Sequence, residues 1–581
     1  MKSQTQVSMS INKIIIENFK IFEGQHIFDL NELNIFTGAN NSGKSTLFKA
    51  INLFSKGLEK GDFPSIDMFI NELGDFQDLV NWNSGKKSFK IGFFINIGKS
   101  KNPFKVLFEF VEYNNRGRFN SIEVISEQNE ILLSIQDTFL MKFIESESNH
   151  FNYVDQKNNL LFRSPAYDDV TPTLTLKVNI SFLKENINDF SDNGFSKLFY
   201  HFGEIKSNDG FWWAESMEEQ DMDIYTNDLS FINIEDLITD LSNDILKNIG
   251  DFEDRNSIIW GGENQNVIND YEELVKESEY LNFLETIIHP ILRTIKTKLN
   301  FFKNANLAHI VFHDLNFRVI KRDDKNDFLF ALFPYMHEYD GPNSFVRDSL
   351  KIFGFDGYVE LISQHNGALA MQLVEGLIET DNVIKGEERV FDFKDYKKDY
   401  KLNSRRNIAD FGKGFTSLVG FILKMFYIQY EYNKIGWKNR YKKRGPEKHI
   451  DKTSQKKLIL IEEPEVFLHP KWQSKLADFL TLFMDKFNKN DDFNIIVETH
   501  SEYLIHKLRV LTADKDNNLK PEDSLIYYFH EPNEIPEKEN QIKKIQITKN
   551  GGLTDNFGSG FIDESTNILF DIMKINNSQT N

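Results

Sequence analysis

The run Gly38-Ala39-Asn40-Asn41-Ser42-Gly43-Lys44-Ser45, followed by Thr46, has the spacing G-x-x-x-x-G-K-[ST]. Glycines let such a loop wrap closely, so that successive backbone N–H groups and a helix N-terminus bind phosphate oxygens. Lys44 then reaches the β- and γ-phosphates of a nucleotide such as ATP, and the Ser45 hydroxyl ligates Mg²⁺. Far along the chain, Leu458 to Ile461 (LILI) runs into Glu462-Glu463-Pro464-Glu465, an apolar strand ending in two carboxylates. Glu462 is expected to hold Mg²⁺ through water, and Glu463 to orient and polarise the attacking water. Neither task suits a neutral side chain at neutral pH. Val497-Glu498-Thr499-His500-Ser501 closes the next apolar run. A histidine at the C-terminal end of a strand lies at the edge of an α/β sheet where phosphates bind, so His500 is placed to meet the γ-phosphate or the attacking water. Finally, Gly412-Lys413-Gly414-Phe415-Thr416-Ser417 opens an apolar helix pattern, a start that reads foremost as a plain turn and N-cap, with an anion-binding N-terminus as the alternative.

These residues need a scaffold, and the flanking patterns supply one. Lys13 to Phe19 (KIIIENF) and Leu33 to Thr37 (LNIFT) read as strands, and a helical pattern starts near Lys44. Phe89 to Ile97 and Phe104 to Phe110 alternate as antiparallel strands do. Leu458 to Ile461 and Asn494 to Val497 have the uninterrupted apolar character of central parallel strands. Leu525 to Phe529 and Ile542 to Ile547 read as strands of an antiparallel appendix. Between the halves, Tyr271 to Phe302 has helical period, with Pro290 expected to divide or kink it. Positions 215 to 254 carry 13 acidic residues against Lys247 alone, the pattern of a solvated face or of a docking surface for a basic partner.

Composition narrows the function classes. The chain has 581 residues and no cysteine, which excludes disulfides, thiolate metal sites and a cysteine nucleophile. No apolar run reaches the ~20 residues that span a bilayer, and MKSQTQVSMS lacks a signal-peptide core, so a cytoplasmic protein without membrane contact is expected. A net charge of −20 disfavours binding nucleic acid over the whole surface, but charge is uneven. Lys434 to Lys457 holds ten Lys or Arg, with Trp437 and Tyr441 interleaved. Within it Lys438, Arg440, Lys442, Lys443 and Arg444 are candidate DNA contacts, and a solvated loop is the equally weighted alternative.

The order NFK, GANNSGKST, Gly-x-Gly helix start, EEPEVFLHP and ETHSEYLI resembles the ABC-type ATPase heads of the OLD, RecF and SMC-like group. The match spans roughly residues 10–100 and 400–510, and the C-terminal stretch is similar to that of Septu anti-phage ATPases. The resemblance implies an α/β fold: a P-loop ABC-type head with a mixed central sheet and flanking helices, a long, partly helical insertion, and a small β-rich C-terminal appendix. Its divisions would be 1–100 and 401–515 for the two halves of the head, 101–400 for an insertion serving dimerisation or a partner, and 516–581 for a small C-terminal domain. It further implies head-to-head dimerisation, with Gly412, Gly414 and Thr416 as a signature meeting the γ-phosphate across the dimer. Here the signature reads GKGFTS where transporters have LSGGQ, and His469 stands where they carry Asp. Gln77 is the candidate Q-loop ligand of Mg²⁺. No spaced Glu and Asp-x-Asp set of a Toprim nuclease follows His500. The implied function is an ATPase that regulates a separately encoded effector, such as a nuclease, in anti-phage defence. The alternatives are a RecF/SMC-like DNA repair ATPase and a nucleotide-dependent scaffold with little turnover.

Overall fold

The computed structural model describes residues 11–57, 76–97, 102–113, 116–137, 173–179, 219–225, 289–303, 309–312, 329, 332, 344–363, 369–375, 404–441, 457–488, 493–531, 535, 540–558, 561 and 568. They belong to two compact units, Met1–Leu30 with Thr46–Asn306, and Asn31–Ser45 with Leu307–Asn581.

The first unit is built on an antiparallel sheet in the order β2-β1-β4-β5-β6-β7-β8-β9. Its strands are β1 (Lys13–Glu17), β2 (Gln25–Asp29), β4 (Ser88–Ile95), β5 (Phe104–Tyr113), β6 (Arg116–Ile125), β7 (Ile131–Asp137), β8 (Thr173–Asn179) and β9 (Glu219–Tyr225). β4 pairs with β5 from Ser88 opposite Val111 to Ile95 opposite Phe104, so the sheet runs without interruption across residue 100. Three helices contribute here: α1 (Lys44–Gly57), which begins in the second unit, the short α2 (Phe76–Leu79), and α3 (His289–Lys303). Phe54 of α1, Phe302 of α3 and Phe108 of β5 meet edge-on with ring centroids about 5 Å apart, an arrangement favoured by the ring quadrupoles. α3 starts at His289, which puts Pro290 in its first turn, where proline breaks no helical hydrogen bond. Residues 271–288 of the periodic stretch, and most of the acidic run 215–254, lie outside the described residues.

The second unit carries the chemistry. Its six-stranded sheet has the order β10-β14-β15-β3-β16-β17. The strands are β3 (Leu33–Gly38), β10 (His309–Val311), β14 (Lys457–Glu462), β15 (Phe493–Glu498), β16 (Ser524–Phe529) and β17 (Ile542–Ile545). The first five are parallel and only β17 is antiparallel, giving the mixed central sheet that was expected. β3, β15 and β16 are buried at every position, which explains their lack of alternation. Buried asparagines fasten their N-terminal ends: Asn34 Nδ2 donates to the carbonyls of Asn31 and Ile495, and Asn494 Nδ2 to that of Asn31. Helices α4 (Ser344–Ile352), α5 (Lys413–Tyr441), α6 (Pro470–Phe487) and α7 (Glu502–Ala513) flank this sheet. Phe345 of α4 packs on Phe479, Phe483 and Phe487 of α6, and Phe421 of α5 packs on Phe479 and Phe312. A small sheet of β11 (Gly357–Ser363), β12 (Leu369–Glu375) and β13 (Ser404–Asn407) precedes the turn into α5.

One expectation is corrected here. β16 is not a strand of a purely antiparallel appendix. It lies parallel to β3, from Ser524 opposite Leu33 to Phe529 opposite Gly38, and only its other edge takes the antiparallel β17. The β-rich C-terminal region is thus continuous with the central sheet.

Candidate functional site

The parallel strands end in one row. Glu462 of β14 stands opposite Glu498 of β15, and Glu498 opposite Phe36 of β3, just before the phosphate-loop sequence. The loop leaves β3 at Gly38, whose φ of +133° suits glycine, and a Cβ there would overlap the Phe529 carbonyl oxygen. Asn41 and Gly43 also have positive φ, at 57° and 104°, and the chain then enters α1 at Lys44. Lys44 is 3% exposed, and its ammonium donates to the carbonyl oxygens of Gly38 (3.1 Å) and Ala39 (2.5 Å). Burial lowers its pKa, and the carboxylates of Glu498, Glu463 and Glu465 oppose that shift. Ser42 Oγ donates to the Ala39 carbonyl, which closes the loop on itself.

Of the carboxylates that act on Lys44, Glu498 ends β15, and Glu463 and Glu465 lie on the turn after β14. Glu463 has φ of +45°, a left-handed conformation that non-glycine residues seldom adopt, and its N–H donates to the Glu498 carbonyl at 2.8 Å. Glu465, 8% exposed, accepts hydrogen bonds from Thr499 Oγ1 (2.8 Å) and the His500 backbone N–H (2.6 Å). Its burial raises its pKa against the pull of those donors. The same two bonds fix the turn that presents His500, whose imidazole is exposed. Partial desolvation, then the Lys44 ammonium, hold that imidazole's pKa down at about 4, so the ring is neutral at pH 7 and available as an acceptor. Gln473 adds a second link between the turns, accepting from Ser501 Oγ at 2.8 Å while its Nε2 donates to the Leu468 carbonyl.

A sequence model of the AAA ATPase domain matches residues 9–505. The chain belongs to this AAA ATPase domain family. It is also similar to MJECL44, an uncharacterized protein of Methanocaldococcus jannaschii, at 27% identity over 173 residues, 29% of this chain and 45% of that protein. The match therefore spans less than half of that relative. Among solved structures, the Smc head domain of Pyrococcus furiosus bound to the C-terminal domain of ScpA aligns with 97% of this chain and 99% of that one, at 12% identity and TM-score 0.32. The SMC head domain of Thermotoga maritima aligns with 89% and 94%, at 9% identity and TM-score 0.29.

For an AAA ATPase domain the expected cofactor is ATP with Mg²⁺. The residues present fit a hard divalent cation: the Ser45 hydroxyl, and beside it the buried Glu498 carboxylate, whose Oε2 has no hydrogen-bond partner among the described residues. Among the described residues no three His, Asp or Glu side chains cluster closely enough to hold a metal on their own. When bound, Mg²⁺ supplies charge to offset that developing on the phosphate oxygens.

The placement of Glu462 differs from the expectation. Its Oε1 pairs with His309 Nε2 at 2.8 Å, and β10, which carries His309, borders β14 on the side away from β15 and β3. Glu498 is one strand closer to the loop, and Ser45 Oγ donates to its Oε1 at 2.7 Å. Sequence reasoning missed Glu498, Glu465 and His309. The available signal for Glu498 was a lone acid ending an otherwise apolar strand.

The signature turn also departs from its expectation in part. Gly412 and Lys413 are exposed, and the Lys413 ammonium lies 3.8 Å from the Phe467 ring centroid. Gly414 is required by its own chain, since a Cβ there would overlap the Phe467 carbonyl oxygen. Thr416 is 2% exposed and its hydroxyl donates to the Lys413 carbonyl, so it faces inward and is not available to a second copy. Gln77 lies in the first unit, in α2, with its Nε2 donating to Glu112 Oε1 at 2.8 Å. Lys438 and Arg440 fall on the last turns of α5, with side chains outside the described residues, as are Lys442, Lys443 and Arg444 entirely. No helix among the described residues is long and apolar enough to cross a membrane.

Proposed function

We propose that this chain hydrolyses ATP with Mg²⁺ in an ABC-type site that a second copy completes. One observation carries the reading: the Lys44 loop, the Glu463 turn and the His500 turn converge at one sheet edge, cross-linked by Glu463 N–H to Glu498 and by Glu465 to His500. In this reading Gly38 to Thr46 cradle the phosphates, Glu463 polarises the attacking water, and neutral His500 accepts a hydrogen bond from it. The second copy supplies the exposed Gly412–Lys413 turn. Glu463→Gln should bind ATP and hold it in a dimer while turnover falls ~10²-fold or more. Light scattering with ATP and a steady-state ATPase assay over a range of chain concentrations test this. Turnover per chain that is independent of concentration, with a monomeric Glu463→Gln complex, removes the shared site.

The target of the cycle is DNA in the reading we favour, as in RecF- and SMC-like ATPases. Its support is the basic run Lys434 to Lys457, which leads from the end of α5 directly into the β14 strand of the site. Control of a separately encoded nuclease in anti-phage defence rests on the motif order and on the resemblance of the C-terminal stretch. Co-purification with the product of a neighbouring nuclease gene, followed by ATPase and nuclease assays of the complex, separates the two.

A further inference from the structure

The strand order puts two carboxylates at equivalent positions of adjacent parallel strands, Glu462 and Glu498, but they are not equivalent neighbours of the phosphate loop. β15 lies between β14 and β3, so Glu498 is the nearer of the two. Their partners differ accordingly. Glu462 is held by His309, whereas Glu498 receives the hydroxyl of Ser45, the loop residue expected on the metal.

We propose that Glu498, rather than Glu462, is the protein carboxylate that ligates the Mg²⁺ of bound ATP, side by side with Ser45. This assignment rests on the ATPase reading above and adds a metal ligand to it. Three observations support it. Ser45 Oγ and Glu498 Oε1 are 2.7 Å apart. Neighbouring ligands of an octahedral Mg²⁺, each 2.0–2.1 Å from the ion, are about 2.9 Å apart, so the two oxygens already stand close to the required spacing. Glu498 is only 3% exposed, and its buried Oε2 has no hydrogen-bond partner among the described residues. Buried carboxylate oxygens are ordinarily paired, because leaving one unpaired forfeits its solvation with no return. A cation shared with Ser45 gives this carboxylate the compensation that its surroundings lack. Lastly, two protein oxygens leave the rest of an octahedral shell to nucleotide oxygens and water, which is how Mg²⁺ usually binds in such sites.

The test compares affinities of the full chain for a non-hydrolysable ATP analogue by calorimetry, in EDTA and in Mg²⁺. In wild type, Mg²⁺ should tighten binding. Glu498→Gln should lose tenfold or more of that tightening, yet bind the analogue in EDTA as well as wild type or better, because a negative charge beside the phosphates is gone. Glu462→Gln should keep most of the metal-dependent gain. Glu498→Asp, which retains a carboxylate, should recover part of it and guards against a folding defect in the glutamine variant. Mn²⁺ bound to the analogue complex, followed by electron paramagnetic resonance, should show an altered coordination signal in Glu498→Gln and not in Glu462→Gln. Full metal-dependent tightening in Glu498→Gln overturns the assignment. So does an equal loss in EDTA and Mg²⁺, which is the mark of a structural role. Failure of the wild-type chain to bind the analogue under either condition instead overturns the ATPase reading itself.

Discussion

A carboxylate at position 412 should leave each chain intact and yet stop hydrolysis in the dimer. Gly412 immediately precedes α5, its carbonyl accepts the N–H groups of Phe415 and Thr416, and a side chain built there meets nothing within 4 Å. Aspartate is a favoured residue at such a helix start, so Gly412→Asp should stabilise the chain by a few tenths of a kcal/mol or leave it unchanged. Across a head-to-head interface the same carboxylate would face the γ-phosphate. Two unit charges ~4 Å apart at an effective dielectric of ~20 repel by about 4 kcal/mol. That lowers turnover ~10³-fold if the repulsion is felt in the transition state. Gly414→Asp would not discriminate, because its Cβ already collides with the Phe467 carbonyl of the same chain.

The assay is steady-state ATP hydrolysis by Gly412→Asp alone, by Lys44→Ala alone, and by the two mixed. Random exchange makes about half the dimers mixed, each with one site spoiled twice and one site intact, so about a quarter of wild-type activity should return. Thermal unfolding and metal-free analogue binding of Gly412→Asp should match wild type. Wild-type turnover in Gly412→Asp would refute the shared site. So would mixtures whose subunits demonstrably exchange by fluorescence energy transfer without regaining activity.

Three more outcomes are expected. Glu465→Gln removes one of the two acceptors that hold Thr499 and His500, so kcat should fall about tenfold, the effect of a lost buried hydrogen bond, with little change in ATP affinity; an unaltered kcat would show that the His500 turn holds itself. Lys298, 7% exposed in α3, is pushed down by burial to about 8 from 10.5, so the folded state binds fewer protons than the unfolded one between those values and stability rises with pH across that window. Urea unfolding across that window should follow this rise, and a stability that is flat between pH 8 and 10.5 would contradict it. Charge reversal at Lys442, Lys443 and Arg444 should weaken DNA binding and flatten its dependence on salt between about 50 and 200 mM, and identical salt slopes would leave the segment a surface loop.

The loop motif at Gly38 to Thr46, the Glu462–Glu463 pair and His500 each stood out in the sequence because an apolar run ends there abruptly in polar residues. Their supports did not. Glu498 takes its meaning from Ser45, 453 residues earlier in the chain, and no local pattern announces that hydrogen bond. His309 sits in a strand of three residues, too short to carry a period. The apolar run at Leu525 to Phe529 was legible as a strand, but nothing local says whether it pairs parallel or antiparallel. Thr416 shows the opposite failure: a polar residue in a signature-like motif suggested outward function, whereas its hydroxyl is satisfied within its own helix turn.

These long-range supports have a common direction. β3 is paired on one edge with β15 and on the other with β16, so the strand that delivers the phosphate loop is held on both sides by residues from the last hundred of the chain. The loop itself is gripped from the same quarter. Ala39 N–H donates to the Phe529 carbonyl at 3.2 Å, the Gly38 Cα packs against that carbonyl too closely for any side chain, and Gln541 Nε2 donates to the Ser42 carbonyl at 3.3 Å. The glycine spacing permits the loop conformation, but β16 and its hairpin select it. The C-terminal β-rich region therefore holds this loop in place: a shift of Phe529 or Gln541 moves the loop's backbone atoms.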